Sequence, residues 1–269
     1  IEVGQYLVLY AVDHDNRIKA YSNIKITESM INTPKELAPK IEIGNVSEGE
    51  KYAGAVKINS LDKLPEGASK WQIFISSTPM ERVYKIKMAE AIDYEAGEDI
   101  IIAKENELHP ISDRFKKYLV LLAVDNEGIV QGYNTFEIGK NNLSKAPSLL
   151  KENTHYNGPV PGDSDGTTKF TQLHFGLSPD ENMKDAKSWM AFVSKDPINV
   201  PKLNISAPGA PGTVLFASGE IEASIGDYLL LAAVDENNKI KGYRIFHLTE
   251  NMVKGQTAPK LEEKNYSKP

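Results

Sequence analysis

One stretch of this chain is written three times. YLVLYAVDHDNRIKAYSNIKI begins at Tyr6, YLVLLAVDNEGIVQGYNTFEI at Tyr118 and YLLLAAVDENNKIKGYRIFHL at Tyr228, offsets of 112 and 110 residues. Each copy is followed by a polar segment and then Ala-Pro, at Ala38-Pro39, Ala146-Pro147 and Ala258-Pro259. Solenoid repeats run about 20–50 residues, so a period this long means tandem domains. An array of this kind reads as a spacer, a scaffold or a binding surface before it reads as an enzyme.

The repeated block has the pattern of a β-hairpin. In the first copy Tyr6, Val8, Tyr10 and Val12 share one face of an extended strand, and Leu7, Leu9 and Ala11 share the other. Apolar residues on both faces predict a central strand covered on both sides. The return strand alternates: Ile18, Ala20, Ile24 and Ile26 face one way, Lys19, Tyr21, Asn23 and Lys25 the other. Three residues after the shared aspartate (Asp13, Asp125, Asp235) stand Asn16, Gly128 and Asn238. Gly and Asn most readily take positive φ, and an aspartate just ahead of them accepts backbone N–H groups. The triplicate aspartate is therefore read as a turn-former.

The segments between hairpins are less alike. Each carries a Trp in the same setting, ASKWQIFIS around Trp71 and AKSWMAFVS around Trp189. Trp71, Ile73 and Ile75 are predicted to face inward, as are Trp189, Ala191 and Val193. Further strand-like pieces are YAGAVKI from Tyr52, YKIKMAEAI from Tyr84, DIIIA from Asp99, FTQLHFGL from Phe170, PKLNIS from Pro201 and GTVLFA from Gly212. Short helical turns are expected near residues 27–31 and 179–186. Short strands separated by Gly, Pro, Asn and Asp predict an all-β fold. The expectation is two tandem immunoglobulin- or fibronectin-like β-sandwich domains, residues 38–145 and 146–262, with a tail at 263–269. Residues 1–37 form an extra N-terminal β-hairpin, read as the remnant of a preceding repeat. An isolated hairpin is marginal in water, so either the rest of its own domain was cut away or it docks on the next domain, in cis or between chains.

A net charge of −6 with interspersed signs argues against nucleic acid as a partner and against a polybasic membrane patch. No apolar run reaches the roughly 18 residues of a membrane span. The absence of cysteine removes disulfides, thiolate metal sites and cysteine nucleophiles. Because the chain opens at Ile1 without Met or a signal peptide, it is read as a piece of a longer protein.

Candidate chemistry is sparse. The Pro161–Gly166 loop is acidic and glycine-rich, and its Asp163 and Asp165 are the candidate metal ligands, for Ca²⁺. The reading favoured for it is a mobile inter-strand or inter-domain loop. The acid pairs of the three turns do not match the twelve-residue calcium loop. The five histidines lack metal or catalytic spacing. Trp71 and Trp189 are read as core residues. Tyr21, Tyr133 and Tyr243 share a face with Lys19, Gln131 and Lys241 and are the candidate binding residues for a polymer. No catalytic residue and no cofactor is assigned.

The string Y-L-V-L-x-A-V-D-x-x-x-x-I-x-G/A-Y, ending in Ala-Pro, resembles repeat domains of unknown function in secreted or surface proteins of Bacillus-like Gram-positive bacteria. Such repeats are found C-terminal to calcineurin-like metallophosphoesterase domains, and they are similar to S-layer-associated modules. The resemblance implies an extracellular or cell-surface location. It also implies a non-catalytic spacer, adhesion or protein-interaction role with protein or cell-wall polymer as partner. The alternatives are an accessory region of a metallophosphoesterase, whose metal motifs this chain does not lay out in order, and a carbohydrate-binding array.

Overall fold

A computed structural model of the chain describes residues 4–27, 30, 36–42, 44–173, 181–208, 213–215 and 218–255. The N-terminal hairpin is β1 (Tyr6–Val12) and β2 (Ile18–Lys25). A first repeat follows with β3 (Val46–Glu48), β4 (Ala55–Ile58), β5 (Lys70–Ser76), β6 (Ile92–Asp93), β7 (Ile100–Ile101), β8 (Lys116–Val124) and β9 (Val130–Gly139). A second has β10 (Ser148–Leu149), β11 (Tyr156–Pro161), β12 (Thr167–Gln172), β13 (Ser188–Ser194), β14 (Thr213–Leu215), β15 (Ser218–Glu222), β16 (Tyr228–Val234) and β17 (Ile240–His247).

Each full repeat is a two-sheet sandwich. In the first, the sheet β6-β5-β8-β9 packs on β3-β4-β7; in the second, β10-β17-β16-β13-β14 packs on β11-β12-β15. The sheets meet through Val56, Ile58, Ile73, Leu119 and Leu121 in one repeat. Phe170, Trp189, Ile221, Leu229 and Leu231 do so in the other. The fold is thus the tandem all-β sandwich that the strand spacing predicts.

The three hairpins share one register, down to a bulge after the shared alanine, so that Val12 pairs with Ile18, Val124 with Val130 and Val234 with Ile240. In the full repeats β8 and β16 are covered on both sides, as two-sided apolar strands require. One face looks into the sandwich. The other face of β8, with Val120, Leu122 and Val124, packs on Ala38 and Val83.

That outer layer explains two misread segments. YKIKMAEAI from Tyr84 forms only bridges at Tyr84 and Lys87 before the two-residue β6, and PKLNIS bridges only at Pro201 and Ser206. Their apolar residues come from lying as loops across the outer face of the hairpin, so alternation there does not mean a strand. Ile75, expected inward, is 37% exposed. It stands at the end of β5, and the facing strands β3, β4 and β7 are only two to four residues long. Residues 181–185 form the 3₁₀ turn expected in that region. The expected turn at 27–31, the C-terminal half of FTQLHFGL with His174, part of GTVLFA and the tail at 263–269 fall largely or wholly outside the described residues.

The N-terminal hairpin is exposed where its two counterparts are buried. It is a two-stranded sheet by itself. Leu9 is 52% exposed, whereas its counterparts Leu121 and Leu231 are at 0%. Docking of the two strands on the next repeat is therefore not what the described residues show. The chain reaches that repeat instead through residues 36–41. Ala38 N–H donates to the Val83 carbonyl at 2.9 Å, Lys85 N–H to Glu36 at 3.1 Å and Ile41 N–H to Tyr133 at 2.9 Å. These few backbone bonds fix the linker and leave β1 and β2 standing in solvent.

Candidate functional site

The shared aspartates come first, because they recur at one geometry. Asp13 Oδ1 accepts the N–H groups of Asp15 and Arg17, Asp125 Oδ1 those of Glu127 and Ile129, and Asp235 Oδ1 those of Asn237 and Lys239, all at 2.9–3.0 Å. The residue three positions on has φ of 58° at Asn16, 84° at Gly128 and 58° at Asn238. The second carboxylate oxygen is also engaged, with Lys19 at 3.0 Å, Gln131 at 2.9 Å and Lys241 at 3.2 Å. Bonding to the charged form lowers all three carboxyls below their ordinary value. For Asp13 the main cause is the Arg17 N–H, and for Asp125 the Ile129 N–H. At Asp235 partial burial pushes upward, and the Lys239 and Asn237 N–H groups with Lys241 outweigh it. A carboxylate held by two amides and a side chain is a turn clasp. Asp13, His14 and Asp15 do lie close together, but at an exposed turn whose aspartate is already engaged.

Asp163 and Asp165 lie in the β11–β12 turn. Asp163 pairs with Lys169 at 2.5 Å. The turn is tied down by Glu220, which accepts the N–H groups of Asp163 and Ser164 and the Thr167 hydroxyl. Lys254 adds a bond to the Asp163 carbonyl, and Gly166 N–H donates to the Lys254 carbonyl at 2.7 Å. The loop is thus an anchored inter-strand turn rather than a free one. Asp165, Glu220, Glu222 and Asp227 line a shallow cleft of about 640 Å³ beside it.

The three candidate binding tyrosines do not form a row. Tyr21 is 70% exposed, whereas Tyr133 and Tyr243 are buried. Tyr133 is covered by Ala38 and Val83 and Tyr243 by His109, while the residues after Ala-Pro pair with the edge of the return strand. Tyr133 N–H donates to the Pro39 carbonyl at 3.0 Å, and Leu150 N–H to the Tyr243 carbonyl at 2.9 Å. The Tyr133 hydroxyl donates to the Glu81 carbonyl at 3.0 Å, and the Tyr243 hydroxyl bonds His109 Nε2 at 3.0 Å. Trp189 lies in the core of the second repeat, and Trp71 packs half-buried against the cluster of Val56, Ile73 and Leu121 in the first.

The Tyr243–His109 bond crosses from one repeat to the next, and it belongs to a junction that the sequence did not announce. Ala53 N–H donates to the Val200 carbonyl at 2.9 Å, Lys202 N–H to Lys51 at 2.8 Å and Leu203 N–H to Lys145 at 2.8 Å. Lys202 Nζ reaches the Gly49 carbonyl at 3.0 Å and Glu48 at 3.4 Å. Beneath these bonds a single apolar cluster runs from Val56, Leu119 and Leu121 of the first repeat to Val200, Leu230 and Tyr243 of the second. The Ser144 hydroxyl accepts Ala55 N–H at 3.1 Å and fixes the connecting segment. Clefts of about 380 Å³, lined by Tyr52, Phe192 and Leu230, and about 630 Å³, lined by Glu48, Leu143 and Leu203, flank the junction.

The family model described as "S-layer protein SbsC C-terminal domain" matches residues 1–29, 48–141 and 160–251. This chain belongs to that family. Each matched stretch of the SbsC C-terminal domain family contains one of the three hairpins, and the unmatched intervals, 30–47 and 142–159, contain the first two Ala-Pro junctions. Among solved structures, domains 7, 8 and 9 of the S-layer protein SbsC are similar at 17% identity, over 94% of this chain and 72% of that one, with a TM-score of 0.38. Domains 4–9 of SbsC are similar at 16% identity, over 96% of this chain and 38% of that one, at 0.36. The FN1–FN3 domains of chicken CNTN1 follow at 8% identity, over 90% and 76%, at 0.28. No curated protein sequence matches the chain.

Proposed function

We propose that this chain is a stiff, non-catalytic module of a cell-surface layer protein, in which each repeat sets the orientation of the next. The family match supports the surface-protein part of this reading and does not extend to a metallophosphoesterase context. The observation that carries the spacer role is the junction. Three backbone hydrogen bonds and a continuous apolar cluster join the repeats, where a hinged pair would have a polar gap and a solvated linker. Proline contributes less as a linker than as the start of the next strand, because Pro39 bonds the return strand of its own repeat.

The partners that suit such a module are neighbouring protein copies or cell-wall polymer. A polymer site built on the tyrosines is disfavoured, since two of the three are in the core. Small-angle X-ray scattering of the full chain tests the spacer reading. A profile fitted by one fixed arrangement of residues 44–255, unchanged between low and high salt, is expected. A profile that requires a spread of inter-repeat angles would overturn it. Co-sedimentation with isolated cell walls tests the partner class separately.

A further inference from the structure

The N-terminal hairpin presents to solvent the residues that the other two copies bury, and those copies show what covers them. Along the free edge of the first hairpin strand lies an antiparallel strand. On β8 it is β5, with Trp71 opposite Ala123, Ile73 opposite Leu121 and Ile75 opposite Leu119. On β16 it is β13, with Trp189 opposite Ala233, Ala191 opposite Leu231 and Val193 opposite Leu229. Along the return strand lies the segment after Ala-Pro, Lys40 beside Tyr133 and Leu149 beside Tyr243. A three-stranded sheet closes the inner face. The N-terminal copy already has the same register, bulge, aspartate clasp and positive-φ residue. Its surface is therefore preformed, and accepting these elements requires no refolding of the hairpin.

We infer that β1–β2 is an acceptor surface for the body of another repeat of this class, a segment built like residues 38–112. Its Trp-bearing strand pairs antiparallel with β1, the Trp opposite Ala11 and the residues two and four further on opposite Leu9 and Leu7. Strand register is set by which face is buried, and a one-residue slip of the incoming strand would put its Trp and the residues two and four further on onto the face opposite Leu7 and Leu9. One difference specifies the occupant further. Ala20 stands where the complete repeats have Gly132 and Gly242. A methyl group at Gly132 would come within 2.7 Å of Ile41 Cγ2. The fitting body therefore carries a smaller residue at the Ile41 position, or shifts that side chain.

A second copy of residues 38–112 joined directly ahead of Ile1 of the full chain reproduces the spacing, since residue 113 is the counterpart of Ile1. The β1 amides not bonded to β2 should then exchange with deuterium at least ~100-fold more slowly. The chain has no cysteine, so an engineered pair reports register without background. Trp71→Cys in the added copy should cross-link to Ala11→Cys and not to Tyr10→Cys or Val12→Cys. A folded added body beside a hairpin that exchanges at its original rate would overturn the inference. So would an added body that stays unfolded both with Ala20 and with Ala20→Gly. Sedimentation addresses the other occupant, a second copy of this chain: self-association that disappears on extension supports the inference, and a dimer that persists after extension overturns it.

Discussion

At the scale of single residues, one carboxylate does the same work three times. Asp235 is the copy best shielded from water together with its lysine. Asp235→Ala strips the acceptor from two backbone N–H groups and should cost about 1–3 kcal/mol in chemical denaturation. Asp235→Asn keeps an acceptor oxygen and should cost less. The pH dependence has a definite sign. The folded-state carboxyl lies below its ordinary value of 3.8, so its stabilisation is complete above pH 3.8 and is lost as pH falls through the lower folded value. The Asn variant should flatten that part of the acid-unfolding profile, and an unchanged acid limb would count against the clasp. Tyr243 is a second residue-scale case. Burial raises its hydroxyl well above the ordinary tyrosine range, with the Glu105 charge adding to the effect, so it stays protonated and hydrogen-bonded to His109. Tyr243→Phe should cost about 1 kcal/mol. Tyr133→Ala or Tyr243→Ala should cost about 3–5 kcal/mol through the cavity left behind, so any loss of polymer binding in those variants would report unfolding first.

At the scale of elements, the hairpins allow an internal comparison that few chains offer. Leu9, Leu121 and Leu231 occupy one position of one repeated strand, yet only the first is exposed. Leu121→Ala and Leu231→Ala should each cost about 2–5 kcal/mol, whereas Leu9→Ala should stay within about 0.5 kcal/mol. Equal effects at all three would mean that the hairpin is covered in solution. The turn and the strand pairing within each hairpin were legible in the sequence, because they depend on residues within about 20 positions of one another. The outer layer was not. Val83, Val200 and Ala207 flank the segments 84–92 and 201–206, whose alternation looks like strand until the surface beneath them is known. Tyr133 and Tyr243 were misplaced for the same reason: their sequence neighbours are polar, and the cover comes from distant residues, Ala38 and Val83 over Tyr133 and His109 over Tyr243.

At the scale of the whole molecule, the two full repeats share a core. Val200 is buried in the cluster that spans them. A carboxylate there would be desolvated without a partner. Val200→Asp should therefore split a single calorimetric transition into two, and should broaden the distribution of inter-repeat angles seen by scattering. If the wild-type chain already unfolds in two separate steps, the repeats are not coupled in the way the junction implies. The charge balance offers no steering to a nucleic acid, and among the described residues no helix is long and apolar enough to cross a membrane.

The sequence by itself determined the repeat, the hairpin, its turn chemistry and the all-β class, since periodicity and local hydrogen bonding are written in short windows. Only the tertiary structure decided which of the three similar hairpins are buried and which is exposed, where the tyrosines go and how the repeats are joined. Burial depends on what another part of the chain brings to a surface, and no local pattern carries that information.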